Sequence, residues 1–259
     1  MNETKVMAIS YETSSGSRGP KIKLSGDILH TYGFTLGQLV KVSALDHTFK
    51  LEAIGIGLDV YRQQVAQVRQ YKQQLTQVQS ESYLGHTHLY LSLQGSGLKR
   101  QNYRIGEVIL VTFSHRCIEI RKLDLLALGF KSDHQIKVLH VHQNIAKGQP
   151  IPRLLMKGNW LSTCGFKVGE SALLTYQDQG RTLYLKPDTE KRTTFPKGGF
   201  PPQLNVRSTP HKKTKSPLPL IQLTGRWLNE VGYKIGDPFL VGYKDQSIRL
   251  KPLNLTSLI

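Results

Sequence analysis

Residues Pro219–Pro252 read PLIQLTGRWLNEVGYKIGDPFLVGYKDQSIRLKP, and the same pattern occurs three more times along the chain. The other copies are PRLLMKGNWLSTCGFKVGESALLTYQDQGRTLYLKP at Pro152–Pro187, LYLSLQGSGLKRQNYRIGEVILVTFSHRCIEIRKL at Leu89–Leu123 and PKIKLSGDILHTYGFTLGQLVKVSALDHTFKLEAI at Pro20–Ile54. A pattern that keeps its register over four copies indicates an internal repeat, in which each copy is one small structural unit.

Three small residues stand at fixed positions in each copy. A glycine opens the kernel, a glycine or asparagine follows seven residues later, and another glycine stands eleven residues after the first. These positions are Gly26, Gly33 and Gly37; Gly95, Asn102 and Gly106; Gly158, Gly165 and Gly169; and Gly225, Gly232 and Gly236. The middle position predicts a left-handed helix cap, because asparagine is the residue that best tolerates that conformation after glycine.

The residues around these glycines predict the secondary structure of one copy. The alternating run Leu220–Leu223 is typical of a half-buried strand, and Arg226–Val231 is typical of a short helix. Two strands joined by a turn follow, at Pro238–Tyr243 and Ser247–Lys251. A further strand precedes three of the copies. With this strand added in front, the order of elements in one repeat is β-β-α-β-β. Those strands are Lys5–Tyr11, Gln135–His142 and Gln203–Arg207.

Two segments fall outside the repeats. DVYRQQVAQVRQYKQQLTQVQSES, at 59–82, carries eight glutamines. Its apolar side chains recur at three-four spacing, which predicts an inserted long helix at about residues 58–80. This helix either replaces the usual first strand of the second copy or precedes a degenerate one. We interpret this helix as a packing strut, with a partner-binding or coiled-coil helix as the alternative. The Pro-, Gly- and Lys-rich stretch 189–216 predicts a flexible basic linker.

The composition restricts the class of function. The chain has 35 Lys and Arg against 18 Asp and Glu, a net charge of +17. Such an excess favours a polyanionic partner, usually nucleic acid. No apolar run could cross a membrane and the N-terminus lacks a secretory pattern, so we expect a cytoplasmic protein. The two cysteines, Cys117 and Cys164, lack metal-ligand spacing, so we expect no metal, and nothing indicates a cofactor.

The kernel G-x-W-L-x-x-x-G-[FY]-x-x-G, preceded by a P-x-I-x-L strand, resembles the SymE-like toxin family. The fourth and third copies are the most similar, whereas Ile28 and Gly97 replace the tryptophan in the first and second. The resemblance implies a mainly β fold of the AbrB/SpoVT/MazE type, the swapped-hairpin barrel, in which two units intertwine. Four units then give two tandem barrels, at residues 1–123 and 135–259, joined around residues 124–134.

The resemblance also implies nucleic-acid binding, with DNA favoured, through the loops that join the first and second strands of each unit. Lysine and arginine in these loops neutralise phosphates without reading bases. The candidate residues are Arg207, Lys212, Lys213 and Lys215 in the fourth copy, Lys147 and Arg153 in the third, and Arg18 and Lys21 in the first.

Two other functions stay open at this point. SymE-like proteins are described as toxins for which RNA cleavage is proposed, so the chain could be an endoribonuclease, although no catalytic residues can be assigned. Alternating histidines, His140 with His142 and His86 with His88, could act as acid and base, but solvent-facing strand residues are the simpler interpretation. The third possibility is an interaction scaffold that uses helix 58–80 for self-association or a protein partner.

Overall fold

The computed structural model describes residues 2–14, 17–70, 74–177, 181–188, 203–210 and 217–258. The chain divides into two units, each described by itself below. The N-terminal unit ends at Asp124, and the C-terminal unit comprises Leu125–Leu258. The described residues are mainly β, in several antiparallel sheets. No described helix is both long enough and apolar enough to span a membrane.

The N-terminal unit contains ten strands and three helices among its described residues. The strands are β1 Glu3–Ala8, β2 Ser10–Ser14, β3 Ser17–Ser25, β4 Leu39–Leu45, β5 Thr48–Gly55, β6 Gln74–Gln77, β7 Gln79–Tyr83, β8 His86–Gln94, β9 Val108–Ser114 and β10 Cys117–Lys122. The helices are α1 Asp27–Thr31, α2 Leu58–Gln70 and α3 Ser96–Arg100.

The described part of the C-terminal unit repeats this order without the long helix. Its strands are β11 Gln135–His140, β12 His142–Ala146, β13 Gln149–Lys157, β14 Ser171–Gln177, β15 Thr182–Pro187, β16 Gln203–Asn205, β17 Arg207–Pro210, β18 Pro217–Thr224, β19 Pro238–Lys244 and β20 Ser247–Pro252. Its helices are α4 Asn159–Thr163 and α5 Trp227–Glu230, followed by a short 3-10 helix at Leu255–Ser257.

Four of the helices end in the same way. After α1, the amide of Gly33 donates to the carbonyl of His30 and that of Phe34 to the carbonyl of Leu29. This pair of bonds is a Schellman cap, which needs a left-handed residue at the glycine position. The φ angle there is positive in all four repeats, at 81° for Gly33 and 58° for Asn102. The aromatic residue that follows is buried each time: Phe34, Tyr103, Phe166 and Tyr233.

The two repeats of each unit exchange strands. The six-stranded sheet of the N-terminal unit has the order β1-β9-β10-β5-β4-β6, and its four-stranded sheet the order β2-β3-β8-β7. Both sheets therefore contain strands of both repeats: in the six-stranded sheet β9 and β10 of the second repeat lie between β1 and β5 of the first, and in the four-stranded sheet a hairpin of each repeat lies side by side. The C-terminal unit has the orders β11-β19-β20-β15-β14-β16 and β12-β13-β18-β17. We call the two four-stranded sheets the N-terminal and C-terminal hairpin sheets, because each consists of two hairpins side by side.

A single buried residue carries the chain from one sheet of a unit to the other. The amide of Ile9 donates to the carbonyl of Glu107, and the carbonyl of Ile9 accepts from the amide of Gly106. Val78, Val141 and Val206 make the equivalent bonds with the turn of the paired repeat. The single strand expected before the first, third and fourth repeats is therefore two strands that belong to different sheets, such as β1 and β2.

The long helix is shorter than expected. The predicted helix at 58–80 is α2, Leu58–Gln70, and the residues after it include strands β6 and β7. β6 pairs with β4 and β7 pairs with β8, so the sheet bonds of the second repeat outweigh the helical periodicity. Within the expected linker 189–216, the described residues 203–210 form β16 and β17. The rest of that segment lies outside the described residues.

The segment expected to join two barrels, 124–134, packs on the C-terminal unit instead. Phe130 is buried against Gly242 of β19. The guanidinium carbon of Arg249 lies 5.0 Å from the centre of the Phe130 ring, and that guanidinium also donates to the carbonyl of Gly129. Residues 125–134 are therefore part of the C-terminal unit, which begins at Leu125.

Candidate nucleic-acid interface

The C-terminal hairpin sheet turns one face to solvent. Leu154 and Met156 of β13 are fully buried, whereas the alternate residues Arg153 and Lys157 point away from the core. Side chains on paired residues of an antiparallel sheet share a face. Lys157 pairs with Leu220 of β18, and Leu220 pairs with Arg207 of β17. Arg153, Lys157 and Arg207 therefore lie on the same outer face.

These three cations are widely spaced. Lys157 and Arg207 are two strands apart, which places their backbones about 10 Å from each other. Arg153 and Lys157 are four residues apart along β13, or about 13 Å. Lys157 and Arg207 are exposed, and Arg153 is half-buried with its Nε bonded to no described group.

No acidic residue in the described part of the chain pairs with the cations of this face. The four strands β12, β13, β17 and β18 contain no Asp or Glu. No carboxylate of a described residue lies within 4.0 Å of the nitrogens of Arg153, Lys157 or Arg207. The whole C-terminal part is also the more basic one: residues 125–259 have 20 Lys and Arg against 8 Asp and Glu, whereas residues 1–124 have 15 against 10.

The N-terminal hairpin sheet has the opposite character. Lys21 Nζ donates to Glu12 Oε2 at 2.8 Å, and Lys23 forms an ion pair with Glu81. Both lysines lie on the outer face of this sheet, at the positions of Arg153 and Leu155 in the third repeat. Lys21 therefore has a carboxylate partner, whereas Arg153 has none among the described residues, although the sequence predicts both as phosphate ligands.

The remaining predicted cations lie at the ends of the hairpins. Lys147 is exposed in the two-residue turn between β12 and β13, where it and Gly148 have φ angles of 50° and 73°. Arg18 of β3 lies 4.7 Å from the ring centre of Tyr11, which is half exposed. Lys212, Lys213 and Lys215 lie outside the described residues, in the connection from β17 to β18.

Lys157 is the one cation of this face that the sequence reasoning missed. The predicted cations lie in or near the connections between the first and second strands, whereas Lys157 lies at the far end of the second strand. The signal that could have found it is the alternation of Arg153, Leu155 and Lys157 opposite the buried Leu154 and Met156. The ion pair of Lys23 has no comparable local signal, because Glu81 is 58 residues away. Glu12 is only nine residues from Lys21, on the neighbouring strand of the same hairpin.

The histidine pairs and the cysteines that the sequence singles out are placed as follows. His140 and His142 do not share a strand face, since the chain changes sheets at Val141 between them. The rings of His86 and His88 lie 6.4 Å apart, and no group of three His, Cys, Asp or Glu side chains in the described ranges could hold a metal ion. Burial raises the pKa of Cys117 and of Cys164, so both thiols stay protonated at neutral pH.

Comparison with models of protein families, with curated proteins and with solved structures finds no match to this chain. Its surface charge and its hydrogen bonds therefore carry the functional interpretation.

Proposed function

We propose that this chain is a nucleic-acid-binding protein that binds the phosphates of duplex DNA through its C-terminal hairpin sheet. The observation that carries the proposal is the outer face of that sheet, where Arg153, Lys157 and Arg207 have no described acidic partner. Unpaired cations displace counterions from DNA, whereas paired cations must first give up their carboxylates. The exchanged strands of each unit support the swapped-hairpin barrel that the sequence resemblance implies.

The chemistry of the face favours a duplex over a single strand. The strands β12, β13, β17 and β18 contain no Phe, Tyr or Trp. Proteins that bind single strands stack the bases on aromatic rings, so a face that offers cations without rings suits a helix whose bases are already stacked. The cations on this face contact phosphates rather than base edges, and binding through them depends little on sequence.

The proposal is tested with a fluorescein-labelled 20-base-pair DNA duplex in an anisotropy titration at 0.1 M salt. We compare the wild type with a Lys157→Gln, Arg207→Gln variant. Two lost phosphate contacts change the salt exponent by about 1.8, which is a loss of up to roughly 60-fold in affinity at this salt concentration. The matched control is Lys21→Gln, Lys23→Gln, which removes the same charge from the N-terminal hairpin sheet.

Only the first variant should lose affinity, because Glu12 and Glu81 already neutralise the lysines of the control. Equal losses in the two variants would show that net charge alone drives binding. Tighter binding to a single strand than to the duplex would contradict the assignment to duplex DNA. Cleavage of a labelled RNA by the same preparation, abolished by neither variant, would replace the proposal with an endoribonuclease.

A further inference from the structure

A cavity of about 640 Å³ opens in the C-terminal unit, away from the outer face of its hairpin sheet. Its walls come from the turn after α5, the end of β20 and the C-terminal segment. Three cations line it: Arg181, Lys234 and Lys251. The apolar residues Pro252 and Leu253 also line it.

Lys251, which lines this cavity, lies close to a second cation, Arg249. Lys251 Nζ donates to the carbonyl oxygen of Leu128 at 3.0 Å, and the guanidinium of Arg249 reaches the same oxygen at 3.4 Å. Burial and the neighbouring Arg249 lower the pKa of Lys251. A second cation beside an already desolvated one is unfavourable unless an anion offsets it. No carboxylate of a described residue lies within 4.0 Å of Lys251, Lys234 or Arg181.

In the N-terminal unit, the second repeat has different residues at the positions that line this cavity in the fourth repeat. There Lys122 stands where the fourth repeat has Pro252, and Glu107 stands where it has Asp237. Lys122 Nζ lies 3.1 Å from a Glu107 carboxylate oxygen and also donates to the carbonyl of Asn102. Proline can form neither contact. The fourth repeat therefore has a cavity where the second has the ion pair between Lys122 and Glu107. A ligand can occupy the space that this ion pair would fill.

We propose that this cavity binds a small organic phosphate ester of mononucleotide size. The phosphate of this ligand accepts charge-assisted hydrogen bonds from Arg181, Lys234 and Lys251, and three cations suit a dianion. Its apolar or ring portion packs on Pro252 and Leu253, and Asp237, which also lines the cavity, accepts from a ligand hydroxyl or amino group. The site is independent of the DNA-binding face, because it uses none of the cations of that face.

The test is isothermal titration calorimetry of the full chain with AMP, with adenosine and with inorganic phosphate. AMP should bind one site, and adenosine should bind at least about tenfold more weakly, since it lacks the group that contacts the cations. Lys251→Gln and Lys234→Gln should each weaken AMP binding about tenfold. Inorganic phosphate should bind more weakly than AMP, because it leaves the apolar wall uncovered.

Lys167→Gln is the matched control. Lys167 occupies in the third repeat the position of Lys234 in the fourth, and it is exposed without lining the cavity. Lys234 is also exposed, so its substitution leaves the fold intact even if Lys251→Gln destabilises the unit. An equal loss in Lys167→Gln, equal binding of adenosine and AMP, or the absence of AMP binding would each overturn the proposal.

A 5′-phosphorylated oligonucleotide that competes with AMP, while its 5′-hydroxyl form does not, would identify the phosphate as a strand end rather than a free nucleotide. Duplex affinity is measured on the same Lys234→Gln sample. A normal duplex affinity together with weakened AMP binding keeps the two sites distinct, so that either proposal can fail alone.

Discussion

Replacing Gly242 with alanine should release the N-terminal segment of the C-terminal unit. Gly242 lies in β19 between Ile136 and Arg249 of the neighbouring strands. A Cβ added at Gly242 would lie 2.5 Å from Cδ1 and 2.6 Å from Cε1 of Phe130. Carbon atoms do not approach so closely, so the buried ring must leave its place and its contact with Arg249.

The free energy of unfolding that Gly242→Ala should remove can be bracketed by two kinds of substitution. Overpacking by one methyl group costs about 1–3 kcal/mol, and complete loss of a buried phenylalanine costs about 3–5 kcal/mol. We therefore expect Gly242→Ala to destabilise the C-terminal unit by about 3 kcal/mol. Phe130→Ala alone should cost about 3–5 kcal/mol. Adding Gly242→Ala to it should cost nothing further, because the clashing ring has gone.

The assay is urea unfolding followed by tryptophan fluorescence. Both tryptophans, Trp160 and Trp227, lie in the C-terminal unit, so the signal reports on this unit alone. A double-mutant cycle should give a coupling of at least about 2 kcal/mol. Gly19→Ala, in the other unit with open space around the added methyl, should leave the fluorescence transition where it is. Additive costs of the two substitutions would refute the packing of Phe130 on Gly242.

Three further predictions concern the ionisation of a buried tyrosine, the basic arm and the boundary between the units. Burial raises the pKa of Tyr103 to about 12. Because the folded state favours the neutral phenol, this preference stabilises the fold fully below about pH 10, and the stabilisation is lost as the pH rises from about 10 to 12. Tyr103→Phe should cost about 1–2 kcal/mol at neutral pH and weaken this alkaline decline, as measured by circular dichroism during urea unfolding. Alanine at all three arm lysines should flatten the salt dependence of duplex binding by roughly 2–3 units in anisotropy titrations, and an unchanged slope would make the arm a solvated linker. The arm lysines are Lys212, Lys213 and Lys215. Residues 125–259 should fold alone with a cooperative urea transition. Residues 132–259, which lack Phe130, should unfold at a lower urea concentration. A folded monomer of residues 203–259 would contradict the exchange of strands.

The local features of the repeat are predictable from the sequence because they depend on neighbouring residues. Asn102 in place of glycine identifies a left-handed cap, and its φ angle of 58° has the expected sign. The short helices and the paired strands Pro238–Lys244 and Ser247–Pro252 follow from periodicity and turn residues in the same way. A mainly β fold follows from the number of such strands.

The features that the sequence does not predict depend on residues far away along the chain. The strand break at Ile9 is set by Gly106 and Glu107 of the second repeat, about a hundred residues later. The end of α2 is set by the pairing of β6 with β4. The neutralisation of Lys23 requires Glu81, which only the exchange of strands brings close. Counting charges along the chain gives Lys21 and Arg153 equal weight, whereas Glu12 pairs with Lys21 and no carboxylate of a described residue pairs with Arg153.

The most direct test of the proposed function is the salt dependence of duplex binding by the wild-type chain beside an Arg153→Gln, Lys157→Gln, Arg207→Gln variant. The affinity for a labelled 20-base-pair duplex is measured by anisotropy from 0.05 to 0.3 M salt, a range chosen because log affinity falls linearly with log salt over it. If each of the three cations neutralises one phosphate, the variant should have a slope flatter than the wild type by about 2.7. Wild-type binding with the same slope in the variant would place the DNA on another surface, and failure of the wild type to bind at the lowest salt would contradict the proposed function itself.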